Sequence, residues 1–301
     1  MKALLVKIAS PIILFKRASL NVIEVLAKYF TNKFGNKYDF SINDALLHLR
    51  ERNWKLKPIE TISEEGENYY LSINGLKFYW PKNFGTGDLS WIYAEIFNDI
   101  KVNPSSYHHE KIPIEKDAWV FDAGASEGFF TAYALEKTTG TVFAFEPIKE
   151  LEAALIKTFK KDYEDGRFKM VSAGIGKEES TMQLSLNFSH PCDASTSDDA
   201  NIERREIRIV TIDDIVKSEA LTRPGFIKMD IEGAEMDALK GATQTLKNLK
   251  PKLAIAVYHE YENGFECAEI IKSANPSYTI EFRGMNGYFK GKVRPYILFA
   301  Y

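Results

Sequence analysis

The chain has 301 residues, 45% hydrophobic and 27% charged, with a formal net charge of -3. Such a composition belongs to a folded globular chain of one large domain or a domain with an appendage, and its charge balance argues against a nucleic-acid partner. Cys192 and Cys267 lie far apart and in no CxxC pair, which argues against a disulfide framework or a cysteine-built zinc site and for a reducing compartment.

Residues 1–30 are apolar and basic, carrying Lys2, Lys7, Lys16, Arg17 and Lys28. Their longest uncharged run, 8–15, is far short of the roughly 20 residues a spanning helix needs, and no signal-peptide cleavage pattern follows it. The stretch predicts an amphipathic helix, packed on the domain or laid on a membrane surface or partner. The expectation is a cytoplasmic protein, peripheral to a membrane at most. Residues 44–53 read as a short helix. Residues 69–73 and 76–80 are rich in aromatic and branched side chains, and Asn74-Gly75 between them signals a hairpin. A turn follows over 83–88, then helical periodicity over 89–100. Residues 1–100 are thus expected to form an extension of helices and one β-hairpin.

From 101 to 301 the pattern is that of one α/β domain. Strands are predicted at 118–121, 141–145, 168–172, 226–229 and 253–258. Helices are predicted at 129–137, 150–161, 234–249 and 265–272. Two closing strands at 278–282 and 296–301, joined through a turn-rich stretch at 283–287, predict an antiparallel hairpin. Alternating β and α argues for a mostly parallel sheet covered on both faces. No repeats are evident.

The first strand runs into Asp122-Ala-Gly124-Ala-Ser126-Glu-Gly128, placing a glycine-spaced turn and a helix N-terminus at a strand's carboxyl end, where α/β sheets bind ligands. The spacing departs from the nicotinamide pattern G-x-G-x-x-G. It also fits the G-x-S-x-G nucleophile elbow, with Ser126 as nucleophile and downstream acids and His259 completing a hydrolase triad. An elbow follows several strands of its sheet, however, and neither those strands nor a His-Gly-Gly oxyanion segment is seen upstream. Glu146 ends the next strand, at the spacing where an acid accepts ribose hydroxyls. Asp230, Glu232 and Glu235 crowd past a later strand end around Gly233, as functional carboxylates do. Glu235 fits a helix N-terminus instead.

At these residues the chain resembles the FkbM-type family of S-adenosylmethionine-dependent methyltransferases. The resemblance rests on 120–130, Phe145-Glu146-Pro147, 210–214, and the run Ile227-Lys-Met-Asp-Ile-Glu-Gly-Ala-Glu235 leading to Leu239-Lys-Gly-Ala242. It covers roughly residues 107–301. Ser126-Glu127 departs from it, since the family often carries Asn and an apolar residue there. The resemblance implies a Rossmann-like class I sheet of seven strands and methyl transfer from S-adenosylmethionine, commonly to a hydroxyl of a sugar, glycan or secondary metabolite.

Under that resemblance Asp122, Gly124, Ser126 and Gly128 cradle the cofactor and Glu146 holds its ribose. Ser172 and Ala173 lie by the adenine, and Tyr107 and Glu110 line the entrance. His259 is the favoured general base because histidine titrates near working pH. Asp230 competes for that role or contacts the methionine moiety, with Glu232 beside it. A magnesium ion on Asp230, Glu232 and His259 is a third arrangement, left outside the expected site. The polar stretch 189–206 and the Asn286-Gly287 turn are expected to select the acceptor. The competing class of function is a non-catalytic scaffold that keeps the fold and docks through residues 1–30.

Overall fold

The computed structural model describes residues 23, 25–30, 38, 41–51, 56–98, 103, 105–186, 203–286 and 292–301. An antiparallel meander comes first, in the order β1 (Ile59–Glu65), β2 (Asn68–Ile73), β3 (Leu76–Pro81). Asn74 and Gly75 take φ of 49° and 88° in the β2–β3 turn, the pair of left-handed residues a type I′ hairpin turn needs. The sequence predicts that hairpin and misses β1. Three of the seven β1 residues are glutamate and the strand is half exposed, so its own pattern is weak and pairing with β2 defines it.

The remaining strands are β4 (Val120–Ala123), β5 (Val142–Phe145), β6 (Phe168–Val171), β7 (Gly174–Ile175), β8 (Ser180–Leu186), β9 (Glu203–Val210), β10 (Phe226–Met229), β11 (Lys252–Ala256), β12 (Ile280–Asn286) and β13 (Arg294–Ala300). Seven of them build the main sheet in the order β12-β13-β11-β10-β4-β5-β6. β4, β5, β6, β10 and β11 pair in parallel, and β13 runs antiparallel to both its neighbours. This is the Rossmann-like class I sheet. The closing hairpin is present, but only its second strand is reversed, because β13 inserts between β11 and β12.

Successive residues of each strand enter opposite faces of the core. Val120, Val142, Phe226 and Ala254 pack on one side with Phe129, Phe130, Leu71, Phe78 and Trp80. Phe121, Phe143, Ile227 and Leu253 pack on the other with Leu239, Leu246, Cys267 and Ile271. The meander therefore shares the main sheet's core. A mixed sheet, β7-β9-β8, stands beside it; it too is unpredicted, because β8 and the start of β9 are polar and exposed.

Several boundaries shift. The first strand lies two residues later than predicted, which puts Asp122 inside β4. The helix expected over 234–249 is two, Glu235–Lys240 and Thr243–Asn248. Gly241 separates them, pressed so close to the Gly176 carbonyl that a Cβ would stand 2.1 Å from its oxygen. Residues 283–286 continue β12 rather than turning, and 203–206 belong to β9. The rest of the expected acceptor loop, 189–202, and Gly287 lie outside the described residues. So do residues 1–22 of the amphipathic stretch; its end packs on the body, where Val25 and Tyr29 are buried with Tyr38, Ala45, Met285 and Val293. Among the described residues no helix is long and apolar enough to cross a membrane.

Candidate functional site

β4 is flanked by β5 on one side and β10 on the other, so the chain order reverses at β4 and a crevice opens beyond the strands' carboxyl ends. A cavity of about 1180 Å³ lies there. The turn after β4 forms its floor. Gly124 and Gly128 adopt φ of 77° and 82°, and Ser126 shares the left-handed region at 43°. The Gly124 and Ala125 N–H groups both donate to the Phe145 carbonyl (3.2 and 3.1 Å), tying the turn to the end of β5.

Glu146 completes that tie. Its carboxylate accepts from the Ser126 N–H (3.0 Å) and the Ile148 N–H (2.9 Å). Burial dominates those donors and lifts its carboxyl to about 7. Glu127, equally enclosed, is also lifted to about 7 by burial.

Asp122 does not face the cavity. As part of β4 it is fully buried, accepts from the Thr131 hydroxyl (2.7 Å) and pairs with Lys228 Nζ (3.1 Å). Lys228 also donates to the Gly124 carbonyl (2.8 Å). Burial opposes the Lys228 charge, but Asp122, Asp230 and Glu127 outweigh it and hold its pKa above the usual value. A lysine within the apolar run Phe226–Met229 was the sequence signal for this strut, since a buried charge needs a partner.

Three other expected cofactor residues also lie off the cavity. Gly128 sits beneath Leu155 and Phe159. Ser172, past the end of β6, donates its hydroxyl to Glu152 (2.6 Å). Glu110 is exposed and lines a separate cleft with His108 and Arg283. Tyr107, Gly124, Ser126, Glu146, Ala173, Asp230, Glu232 and His259 all line the large cavity. Sequence reasoning missed its apolar wall of Met182, Leu184, Ile207 and Ile209 from β8 and β9, and Ile92 and Ile96 from the Leu89–Phe97 helix.

The far end of the cavity gathers carboxylates around one imidazole. Tyr107 donates its hydroxyl to Asp230 Oδ2 (2.6 Å). His259 Nε2 lies 3.2 Å from Glu232 Oε2 and 3.7 Å from Asp230 Oδ1, while its Nδ1 lies 3.7 Å from Glu235 Oε1. Burial works against the imidazolium, but Glu232, Asp230 and Glu235 prevail and raise His259 to about 9. Glu235 is fully buried. It accepts from the Ile231 and Gly233 N–H groups (2.9 and 3.3 Å), so it braces the turn before the helix. Arg294 on β13 donates to the carbonyls of Tyr258 and His259, fixing the segment that carries the imidazole.

The FkbM methyltransferase domain matches residues 122–282, more than half of the chain. The chain belongs to the FkbM methyltransferase family. The match begins at the Asp122 of β4 and takes in Glu146, the β7–β9 wall and the Asp230–His259 end of the cavity. Among curated relatives, this FkbM chain is 25% identical to Methyltransferase 1 of Beauveria bassiana over 178 residues, 51% of this chain and 67% of the relative. It is 29% identical to the hexuronic acid methyltransferase AglP of Haloferax volcanii over 136 residues, 45% of this chain and 54% of that protein. The solved FkbM methyltransferase of Methylobacillus flagellatus is 24% identical, with a TM-score of 0.47 over 69% of this chain and 48% of that one. The chain thus spans about half the length of AglP and of the solved protein.

Proposed function

We propose that this protein methylates a hydroxyl oxygen of a sugar, glycan or secondary metabolite, with S-adenosylmethionine as donor. One observation carries the reading: a single cavity joins the glycine turn and Glu146 at one end to Asp230, Glu232 and His259 at the other. Its 1180 Å³ exceeds the roughly 300–1,000 Å³ of a common small-molecule site, leaving room for an acceptor beside a cofactor. The likeness to a hexuronic acid methyltransferase supports a carbohydrate-type acceptor.

The residues fit the cofactor. Glu146 stands at the end of β5, where a ribose diol finds an acceptor. Ala173 and Ile175 offer an apolar slot for a flat base. Bound there, S-adenosylmethionine would supply an electrophilic methyl on a sulfonium, with a neutral thioether as leaving group, so holding two reactants in line is most of the task. Gly124 and Ser126 shape the cradle, and the Lys228 strut keeps it closed. A hydroxyl acceptor must lose a proton. At neutral pH the raised His259 is already an imidazolium, so the proton passes to Asp230, oriented by Tyr107, while His259 holds the neighbouring carboxylates in place. Both ring nitrogens of His259 face carboxylates, which leaves it no nitrogen to activate Ser126 and disfavours the hydrolase.

Thermal shift with S-adenosylmethionine and S-adenosylhomocysteine, with NAD as control, tests the reading. Both adenosyl ligands are expected to raise the melting temperature and NAD to leave it unchanged. Glu146→Ala should weaken both adenosyl ligands alike. Absence of any shift with either one refutes the proposal.

A further inference from the structure

We propose that Asp230, Glu232 and His259 bind one octahedral divalent cation of the magnesium and manganese class. One ligand atom from each residue converges within 4.8 Å of the others. The 3.2 and 3.7 Å separations from His259 Nε2 to Glu232 and Asp230 approach the ~3 Å between adjacent corners of an octahedron with bonds of roughly 2.1 Å. A small side-chain adjustment closes the difference, and the cation takes the place of the Nε2 proton that His259 carries without it.

Three polar atoms at this point lack a hydrogen-bond partner. Asp230 Oδ1 and both ring nitrogens of His259 are buried without an aligned hydrogen bond, although carboxylates surround the ring. Buried polar atoms ordinarily find partners, and one cation at the point of convergence satisfies Nε2 and Oδ1 together.

Glu235 supplies an independent observation. It is not among the three ligands, its side chain is wholly buried, and its Oε2 has no hydrogen-bond partner. Its other oxygen faces His259 Nδ1 at 3.7 Å. A carboxylate behind the far nitrogen of a histidine is the usual support of a metal-bound imidazole, fixing its tautomer and orientation. Tyr107 anchors Asp230 in the same way, through the oxygen that does not face the imidazole.

The donor set selects the cation. Two carboxylates and one imidazole, with no thiolate among them, suit magnesium or manganese, which retain several water ligands. Those open positions face the cavity, where acceptor hydroxyls can replace water. With the cation bound, Asp230 is a ligand rather than the proton acceptor; a hydroxyl on the cation loses its proton more readily, and that proton passes to solvent. This use of the cation rests on the methyl-transfer reading; its binding does not.

Manganese titrated into the metal-stripped full chain, with free Mn²⁺ read by its electron paramagnetic resonance signal, tests the site. The expected result is uptake of one Mn²⁺ per chain, displaced by excess Mg²⁺. Asp230→Asn and Glu232→Gln should each weaken uptake by roughly tenfold or more, and Glu235→Gln by about ten- to a hundredfold. Cooperative melting of the variants shows that they fold. No stoichiometric uptake by the wild-type chain, or uptake unchanged in the Asp230→Asn/Glu232→Gln double variant, overturns the proposal. Mn²⁺ uptake without any S-adenosylhomocysteine thermal shift supports the cation site and counts against methyl transfer alone.

Discussion

At Glu127, burial outweighs the favourable contacts of the carboxylate and lifts it from 4.5 to about 7. The folded chain therefore holds this proton more tightly than the unfolded chain. Stability from that source is complete below pH 4.5 and is lost as pH rises through 7. Glutamine keeps the shape and removes the titration. Glu127→Gln is expected to gain up to about 3 kcal/mol at pH 8 and nothing near pH 4, measured by urea denaturation; a variant that tracks the wild type throughout refutes the account. Lys228 presents the opposite case. It is a buried cation whose partners, Asp122 and the Gly124 carbonyl, are themselves buried or part-buried. Breaking a buried pair from one side costs about 3–5 kcal/mol, so Lys228→Met should destabilise the fold by that order. A loss under 1 kcal/mol in the same denaturation assay would mean that Asp122 is satisfied without it.

At the scale of elements, the turn after β4 depends on close approach. A Cβ on Gly124 would stand 1.9 Å from the Asp230 carbonyl oxygen, at a φ of 77°. Gly124→Ala must therefore push apart the ends of β4 and β10, which together carry both halves of the cavity. The expected outcome is loss of the S-adenosylhomocysteine thermal shift in a protein that still melts cooperatively, and retained binding would show that the turn tolerates opening. This turn was legible in sequence because strand, glycine spacing and helix are all local signals. The Asp230-x-Glu232 acids were legible for the same reason, since three carboxylates crowd within six residues just past a strand end. β1, β8 and β9 were not. Segments such as Glu-Arg-Arg-Glu at the start of β9 become strands only by pairing with a neighbour, and no local pattern records that neighbour. The cavity's apolar wall was missed with them. Asp122 was misplaced by a two-residue shift of β4, enough to move it from the cavity to the core.

For the whole molecule, the segment before residue 100 and the main sheet form one packed unit. Phe78 meets Phe129 edge to face at 5.1 Å, directly on the helix that follows the glycine turn. The Tyr79 N–H donates to the Thr158 hydroxyl (2.9 Å), and Lys157 both pairs with Glu65 (2.9 Å) and lies over the Tyr79 ring at 3.8 Å. Leu71, Ile73, Phe78, Trp80 and Leu89 are each at most 1% exposed. Full burial of such side chains contributes about 1.5–3 kcal/mol apiece, on the order of 10 kcal/mol together, which rivals the net stability of roughly 5–15 kcal/mol of a whole domain. Ile92 and Ile96, from the same segment, also wall the cavity. A chain cut to residues 101–301 keeps every strand of the main sheet and, of the site, Glu146, Asp230, Glu232 and His259. It nevertheless exposes Phe129 and the face of the helix that carries it. That truncated chain is expected to lose cooperative melting and near-ultraviolet circular dichroism, and with them S-adenosylhomocysteine binding. If it melts cooperatively and binds the ligand as the full chain does, the meander is an appendage and the shared core does not govern stability.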